Sequence, residues 1–273
     1  MTARIFIGSM QVDAIPEDSR GLAYGDGLFE TMRVHCGSVH WWEAHWSRLS
    51  HGAARLRLPL PDESMVRDHA AQVFGNANGV LKLLVCRGAG ARGYAPDFDA
   101  MPVWVVTRHA LPPGPRTSGL VLRWCGTRLA IQPALAGLKH CNRLEQVIAR
   151  GEWQDPAIDD GLMLDSEACV VSATSANLFV LRAGGWLTPA IDRCGIAGIC
   201  RAWCMEEINA KEARLTAVDV ESADAVFLCN AVRGILPVAR LPGREWRPHP
   251  DIAALQARLE QRHPAFANDR EIL

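Results

Sequence analysis

Lysine is nearly missing from this chain. Of 29 basic residues in 273, only Lys82, Lys139 and Lys211 are lysine. An arginine-favouring genome accounts for the scarcity without any function, yet chemistry that needs a primary amine must draw on these three, because arginine cannot supply one. A charge excess is also lacking: 29 basic against 30 acidic residues leave a net charge of −1. No global pull toward nucleic acid or anionic membrane follows, so a small-molecule partner is the expectation. No uncharged apolar run approaches the roughly 20 residues of a membrane span. MTARIFIGSMQVD has no signal-peptide core of about 7–15 apolar residues, which makes cytoplasmic the expected location. C-x-x-C occurs nowhere among the nine cysteines, against a zinc ribbon or redox motif. Cys200 and Cys204 would share a helix face, but no histidines complete a metal set, and no metal is expected.

The length suits two lobes of about 100–150 residues each. The sharpest punctuation is ALPPGPRTSG, so residues 1–110 are read as an N-terminal α/β lobe, 111–119 as a linker and 120–273 as a C-terminal lobe. In the first lobe ARIFIG, VLKLLVC and PVWVVT read as strands, and residues 31–42 as a hairpin around Cys36-Gly37-Ser38. Trp42, Trp46, Leu49, Ala53 and Leu56 recur at spacings of three and four, which predicts a helix over about 43–58, and Asp62 is a plausible N-cap for the next. The second lobe is richer in strand, with GLVLRWC, GLMLD, CVVSA, NLFVL and AVFLCN. Helices are predicted from Arg143 to about Gln154, over about 198–210 and near 251–262. Many short strands with few helices suggest a barrel-like sheet, and the chain as a whole a mixed α/β (α+β) class.

Gly88-Ala-Gly90-Ala-Arg-Gly93 matches G-x-G-x-x-G after a strand, but Pro96 blocks the helix that would hold a pyrophosphate, and the dinucleotide reading fails. A mobile Gly-rich loop carrying Arg87, Arg92 and Tyr94 remains, its arginines able to clamp a carboxylate, or else a plain surface turn. Lys139, in GLKHCNRLEQ, follows a strand and precedes a helix, next to Arg143. Among apolar neighbours such an amine can have its pKa lowered, as a Schiff-base lysine requires. A surface lysine near a helix start is the plain alternative, although cations there oppose the helix dipole.

YGDGLFETMRV, LVCRGAGARGY, GLKHCNRLEQVIAR, TSANLFVL, TPAIDRCGIAGICR and VFLCNAVRGILPV occur in the order seen in fold-type IV pyridoxal-phosphate enzymes, and the resemblance spans nearly the whole chain. The Asn142-Arg143-Leu144-Glu145-Gln146 run resembles the lyases that act on 4-amino-4-deoxychorismate rather than their aminotransferase cousins. The resemblance implies a two-lobed fold with a barrel-like cofactor lobe, pyridoxal 5′-phosphate as cofactor and a homodimer. It implies that Lys139 binds the cofactor aldehyde, that Arg48 meets the phosphate, and that Gly195-Ile196-Ala197-Gly198 cradle it at a helix start, closed by Asn230 and Ala231. Arg143 would face the ring hydroxyl or a substrate carboxylate. Thr31, Arg92 and Tyr94 are candidate substrate contacts, with Arg33 a further cation.

One position departs from the family pattern. A glutamate five residues before the asparagine of A-N-L-F holds the pyridine proton in these enzymes; here that position is Ser172, and a neutral hydroxyl leaves a weaker electron sink. An elimination that ends in an aromatic ring tolerates this better than a transamination. The activity that the resemblance implies is release of pyruvate from 4-amino-4-deoxychorismate to give 4-aminobenzoate for folate synthesis. A D-amino-acid or branched-chain aminotransferase and a catalytically silent homologue are the alternatives.

Overall fold

The computed structural model describes residues 3–90, 92–114, 116 and 118–270. Pro115 and Thr117 of the expected linker, and Ala91 of the Gly-rich loop, lie outside the described residues. The chain divides into two compact units. The first holds Met1–Leu111 and Leu138–Asn142, the second Pro112–Gly137 and Arg143–Leu273.

The first unit runs β1 (Ala3–Ile7), β2 (Met10–Val12), α1 (Arg20–Tyr24), β3 (Gly27–His35), β4 (Ser38–Val39), α2 (Trp42–Leu56), α3 (Glu63–Phe74), β5 (Gly79–Cys86) and β6 (Val103–His109). Its six strands lie in the order β2-β1-β6-β5-β3-β4, antiparallel throughout. The expected hairpin is present: Val34 pairs with Val39 and His35 with Ser38 across Cys36-Gly37, both at positive φ (47° and 78°), the twist that a two-residue hairpin requires. Along β3 Leu28, Glu30, Met32 and Val34 are buried at every second position, the period of a strand that turns one face to a core. α2 buries Trp42, His45, Leu49, Gly52 and Ala53, so its inner stripe holds a histidine where the apolar pattern favours Trp46. Asp62 caps α3 as expected, its carboxylate accepting from the Met65 N–H at 3.1 Å.

The second unit runs β7 (Leu120–Leu129), α4 (Leu144–Arg150), β8 (Asp160–Asp165), β9 (Val170–Ala173), β10 (Asn177–Arg182), β11 (Gly185–Pro189), α5 (Ile199–Glu207), β12 (Lys211–Ala213), α6 (Ala217–Glu221), β13 (Ala225–Asn230), β14 (Gly234–Leu241), β15 (Arg244–Glu245) and α7 (Pro250–Arg262). The main sheet path is β12-β11-β10-β13-β14-β7-β8-β9, with β15 on β14. Its two ends meet where Val170 of β9 bridges Leu215 just past β12, the Val170 N–H donating at 2.7 Å. The sheet thus curls on itself, as the run of short strands suggests. One of its faces gathers alternate residues into a single core that includes Leu122, Leu162, Leu178, Val226, Leu228 and Leu236. Behind it Phe179 and Phe227 stack at 4.7 Å. α4 ends at Arg150, short of the expected Gln154, because Trp153 turns inward to pack with Cys125, Ala149 and Met163. No helix among the described residues is long and apolar enough to cross a membrane.

Candidate active site

Lys139 lies in the sequence between two stretches of the second unit yet belongs to the first, and backbone chemistry explains why. The Phe29 N–H donates to the Lys139 carbonyl at 3.0 Å and the Cys141 N–H to the Gly27 carbonyl at 2.9 Å. Leu28 and His140 form an antiparallel bridge between them. The segment is a strand fragment laid beside the start of β3, and the linear reading, which places it in the C-terminal lobe, does not see that annexation. The Lys139 Nζ is 4.3 Å from the Phe29 ring centroid, and the Lys82 Nζ is 5.4 Å from the same ring. An aromatic face attracts an ammonium at such distances.

On the buried face of β3, Glu30 is the hub of a polar network. Its Oε1 accepts from Arg48 Nε at 2.8 Å, Arg48 Nη2 bonds its Oε2, and His45 Nδ1 lies 2.6 Å from the same oxygen. Burial would raise the Glu30 pKa, but the Arg48 guanidinium and the His45 hydrogen bond outweigh it and hold the carboxyl at about 2. Burial pushes His45 down, with Arg48 and Lys139 adding to the fall against the pull of Glu30. His45 is therefore a neutral imidazole whose Nδ1–H donates to a carboxylate. Its buried Nε2 has no partner among the described residues. A guanidinium offers five donors in a planar fork, and this pair sets the plane in which Arg48 presents them. Glu30 and His45 escaped the sequence reading. The available signals were an acidic residue at an inward strand position and a histidine three before Arg48 on one helix face.

The Gly-rich loop is held from within. Asp26 Oδ2 accepts from Arg20 Nε at 3.0 Å and Arg87 Nε at 2.9 Å. Arg20 also donates to the carbonyls of Gly93, Tyr94 and Ala95, and Arg87 to those of Leu56, Arg57 and Asp97. Arg87 is thus a staple of the loop rather than a clamp for a ligand carboxylate. Arg92 and Tyr94 are exposed on that loop, Thr31 is half-buried on β3, and Arg33 is buried on the same strand.

In the second unit Gly195-Ile196-Ala197-Gly198 leads into α5. The Gly137 N–H donates to the Gly195 carbonyl at 3.0 Å and the Ala197 N–H to the Gly137 carbonyl at 3.1 Å. The Ala197 N–H is therefore engaged within the protein, while Ile196, flanked by the bridging groups, directs its own N–H away from Gly137. Two glycines make the turn possible. Gly195 sits at φ +90°, and a Cβ on Gly198 would stand 2.0 Å from Asn177 Oδ1. Asn177 Nδ2 in turn donates to the Ile196 carbonyl at 3.0 Å. The first N–H groups of α5 have no intrahelical partner and carry the positive end of the dipole. Asn230 is a brace: its Oδ1 accepts from the N–H of Val232 (3.0 Å) and Arg233 (2.8 Å), and its Nδ2 donates to the Ser175 carbonyl at 3.3 Å. Asp160 fixes the preceding loop by accepting from Thr174 and from Ser175 Oγ, the latter at 2.8 Å. Ser172 is half-buried on β9 opposite Met163, Arg143 stands at the N-cap of α4, and Ala231 follows Asn230 in the turn after β13.

A primary amine beside an aromatic ring, a guanidinium oriented by a buried carboxylate and a glycine turn opening a helix are the parts expected of a fold-type IV enzyme. The amino-transferase class IV family model matches residues 27–241, and the chain belongs to this family. It is 32% identical over 255 residues to an aminodeoxychorismate lyase of Vibrio harveyi, covering 90% of this chain and 94% of that one. The crystal structure of 4-amino-4-deoxychorismate lyase from Pseudomonas aeruginosa matches with a TM-score of 0.87 at 38% identity, covering 94% of this chain and 98% of that one. A branched-chain aminotransferase of Thermoproteus uzoniensis shares the fold at 19% identity, with a TM-score of 0.83 over 98% of this chain and 96% of that one.

The cofactor of the family is pyridoxal 5′-phosphate, and the residues present fit it. An aldehyde needs a primary amine, which Lys139 offers. A phosphate needs oriented N–H groups and close backbone approach, and at Gly198 the space of a side chain is already taken by Asn177.

Proposed function

We propose that this protein is an aminodeoxychorismate lyase, eliminating pyruvate from 4-amino-4-deoxychorismate to leave 4-aminobenzoate for folate synthesis. The observation that carries this over transamination is the Asn142-Arg143-Leu144-Glu145-Gln146 run after Lys139, which resembles the lyases; Ser172, a hydroxyl where the family pattern has a carboxylate, counts further against transamination. Identities of 32% and 38% to lyases, against 29% to a putative branched-chain-amino-acid aminotransferase of Methanocaldococcus jannaschii and 19% to that of Thermoproteus uzoniensis, support the same choice.

Bound pyridoxal phosphate supplies an electron sink for the carbon that carries the substrate nitrogen. Lys139 would hold the cofactor aldehyde, and its amine, when free, would take the proton from that carbon as general base. The carbon–oxygen bond to the enolpyruvyl group breaks as the ring becomes aromatic, and the Lys139 ammonium can return a proton to the departing methylene to give pyruvate. Arg48, Ile196, Ala197, Asn230 and Ala231 are assigned to the phosphate, the Ala197 and Asn230 contributions resting on shape and bracing because their polar groups are engaged internally. Ser172 would stand at the pyridine nitrogen, the place that the resemblance gives it. Arg143 and Arg92 supply cations for the two substrate carboxylates, with Thr31 and Tyr94 beside them. α4 leaves Leu144, Val147 and Ile148 61–75% exposed at helical spacing, an apolar stripe suited to a second copy. We take the working form to be a cytoplasmic homodimer.

Product analysis decides the matter. The expected result is equimolar pyruvate and 4-aminobenzoate from 4-amino-4-deoxychorismate. A keto acid formed from an amino acid with a 2-oxoacid acceptor, and no 4-aminobenzoate, would make the protein an aminotransferase. A protein that binds the cofactor and turns over neither substrate would be a silent homologue.

A further inference from the structure

Cys200 and Cys204, one helical turn apart on α5, meet Cys229 from β13. The three Sγ atoms lie within 4.8 Å of one another, and all three residues have 0% exposure. Sequence spacing shows the helix pair but not the third thiol, which the fold brings in from a strand. A metal–thiolate bond of about 2.3 Å places sulfurs about 4 Å apart around a three-coordinate ion, so small rotamer changes would close this triangle on a single cation.

We propose that Cys200, Cys204 and Cys229 form a buried three-thiolate site for a soft, closed-shell monovalent cation of the copper(I) type. Three buried sulfurs, joined among the described residues by no fourth histidine, cysteine or carboxylate, select such an ion over zinc, which takes four ligands in structural sites. Arg201, next in sequence to Cys200 and itself buried, is held by the Pro189 carbonyl and by Glu212 and leaves the three sulfurs to one another. Uptake forms three sulfur–copper bonds, breaks the three S–H bonds and releases three protons, with no change of oxidation state. The ion enters by local opening of α5, the kind of sub-global motion that exposes buried groups. Cys200 lies two residues past Gly198, where the cofactor turn ends, and the thiol site requires nothing of the reaction.

The experiment is anaerobic competition of the full-length protein against bicinchoninate for copper(I), with X-ray absorption at the copper edge. Wild type and Cys36→Ser, which lacks the exposed thiol, should each retain one copper(I) per chain, bound by three sulfurs. Cys229→Ser and Cys204→Ser should bind about 100-fold more weakly or worse, since even outer-shell changes cost 10–100-fold. A two-sulfur or nitrogen-containing environment in wild type overturns the proposal, as does unchanged affinity in either folded serine variant. Should both serine variants fail to fold, the wild-type absorption spectrum alone decides.

Discussion

The Nδ1 of His45 lies 2.6 Å from Oε2 of Glu30, both side chains 1% exposed, and Arg48 grips the same carboxylate from one turn further along α2. The arrangement places a fixed negative charge beneath a guanidinium assigned to an anionic ligand. Its effect is orientation as well as stability: the Arg48 and His45 interactions outweigh the cost of burying the carboxylate and hold the guanidinium in one plane.

Glu30→Gln tests this network. The Glu30 carboxyl falls from an ordinary 4.5 to about 2 in the fold, so its contribution is complete above pH 4.5 and is lost as pH falls through 2. His45, lowered mainly by burial, acts in the same direction: its contribution is complete above its ordinary value of 6.5 and fades as pH falls through its folded value. The Glu30 shift, from 4.5 to about 2, corresponds to about 3 kcal/mol at neutral pH. The variant should lose stability of that order at pH 7 and show a flatter stability profile between pH 4.5 and 2 by urea unfolding. Parallel profiles for the two proteins would contradict the assignment.

Asp26 is shared by Arg20 and Arg87, whose side chains are almost wholly buried. Asp26→Asn leaves two guanidinium groups without their counter-ion, at a cost of about 3–5 kcal/mol. Because Arg20 also holds the Gly93–Ala95 carbonyls, cleavage by a protease should concentrate in that loop. An uncleaved, equally stable variant would show that the staple is dispensable.

Gly198→Ala places a methyl group where Asn177 Oδ1 already sits. Displacing Asn177 breaks its bond to Ile196, so the turn should lose about 1–3 kcal/mol and pyridoxal phosphate should bind more weakly. Unchanged cofactor affinity, measured by equilibrium titration, would remove this turn from the phosphate site.

Ser172→Glu restores the carboxylate of the wider family. Lyase turnover should stay similar or rise, because a proton held on the pyridine nitrogen strengthens the electron sink. A large fall in kcat would mean that this pocket depends on a neutral partner.

The elements of the first unit were largely legible because strand alternation, the Asp62 cap and the α2 stripe are local signals. Two kinds of feature were hidden. Polar hubs such as Glu30 and Asp26 act on partners from other elements, and no periodicity marks which arginine stays inside, which is why Arg87 reads as a ligand clamp until its carbonyl partners are seen. Segment exchange is the other: that Lys139 joins β3 depends on backbone bonds to Gly27 and Phe29, far away in sequence. The glycine turn at 195–198 was visible, but not that Gly137 already takes the Ala197 N–H.

Everything assigned to this protein depends on which amine takes the cofactor, and Lys82 shares the Phe29 ring with Lys139. Borohydride reduction of the protein loaded with pyridoxal phosphate, followed by peptide mapping, reads this directly. A phosphopyridoxyl group on Lys139, with the yellow absorbance lost in Lys139→Ala, is the predicted result. Label on Lys82 or Lys211, or a yellow Lys139→Ala protein, would contradict it.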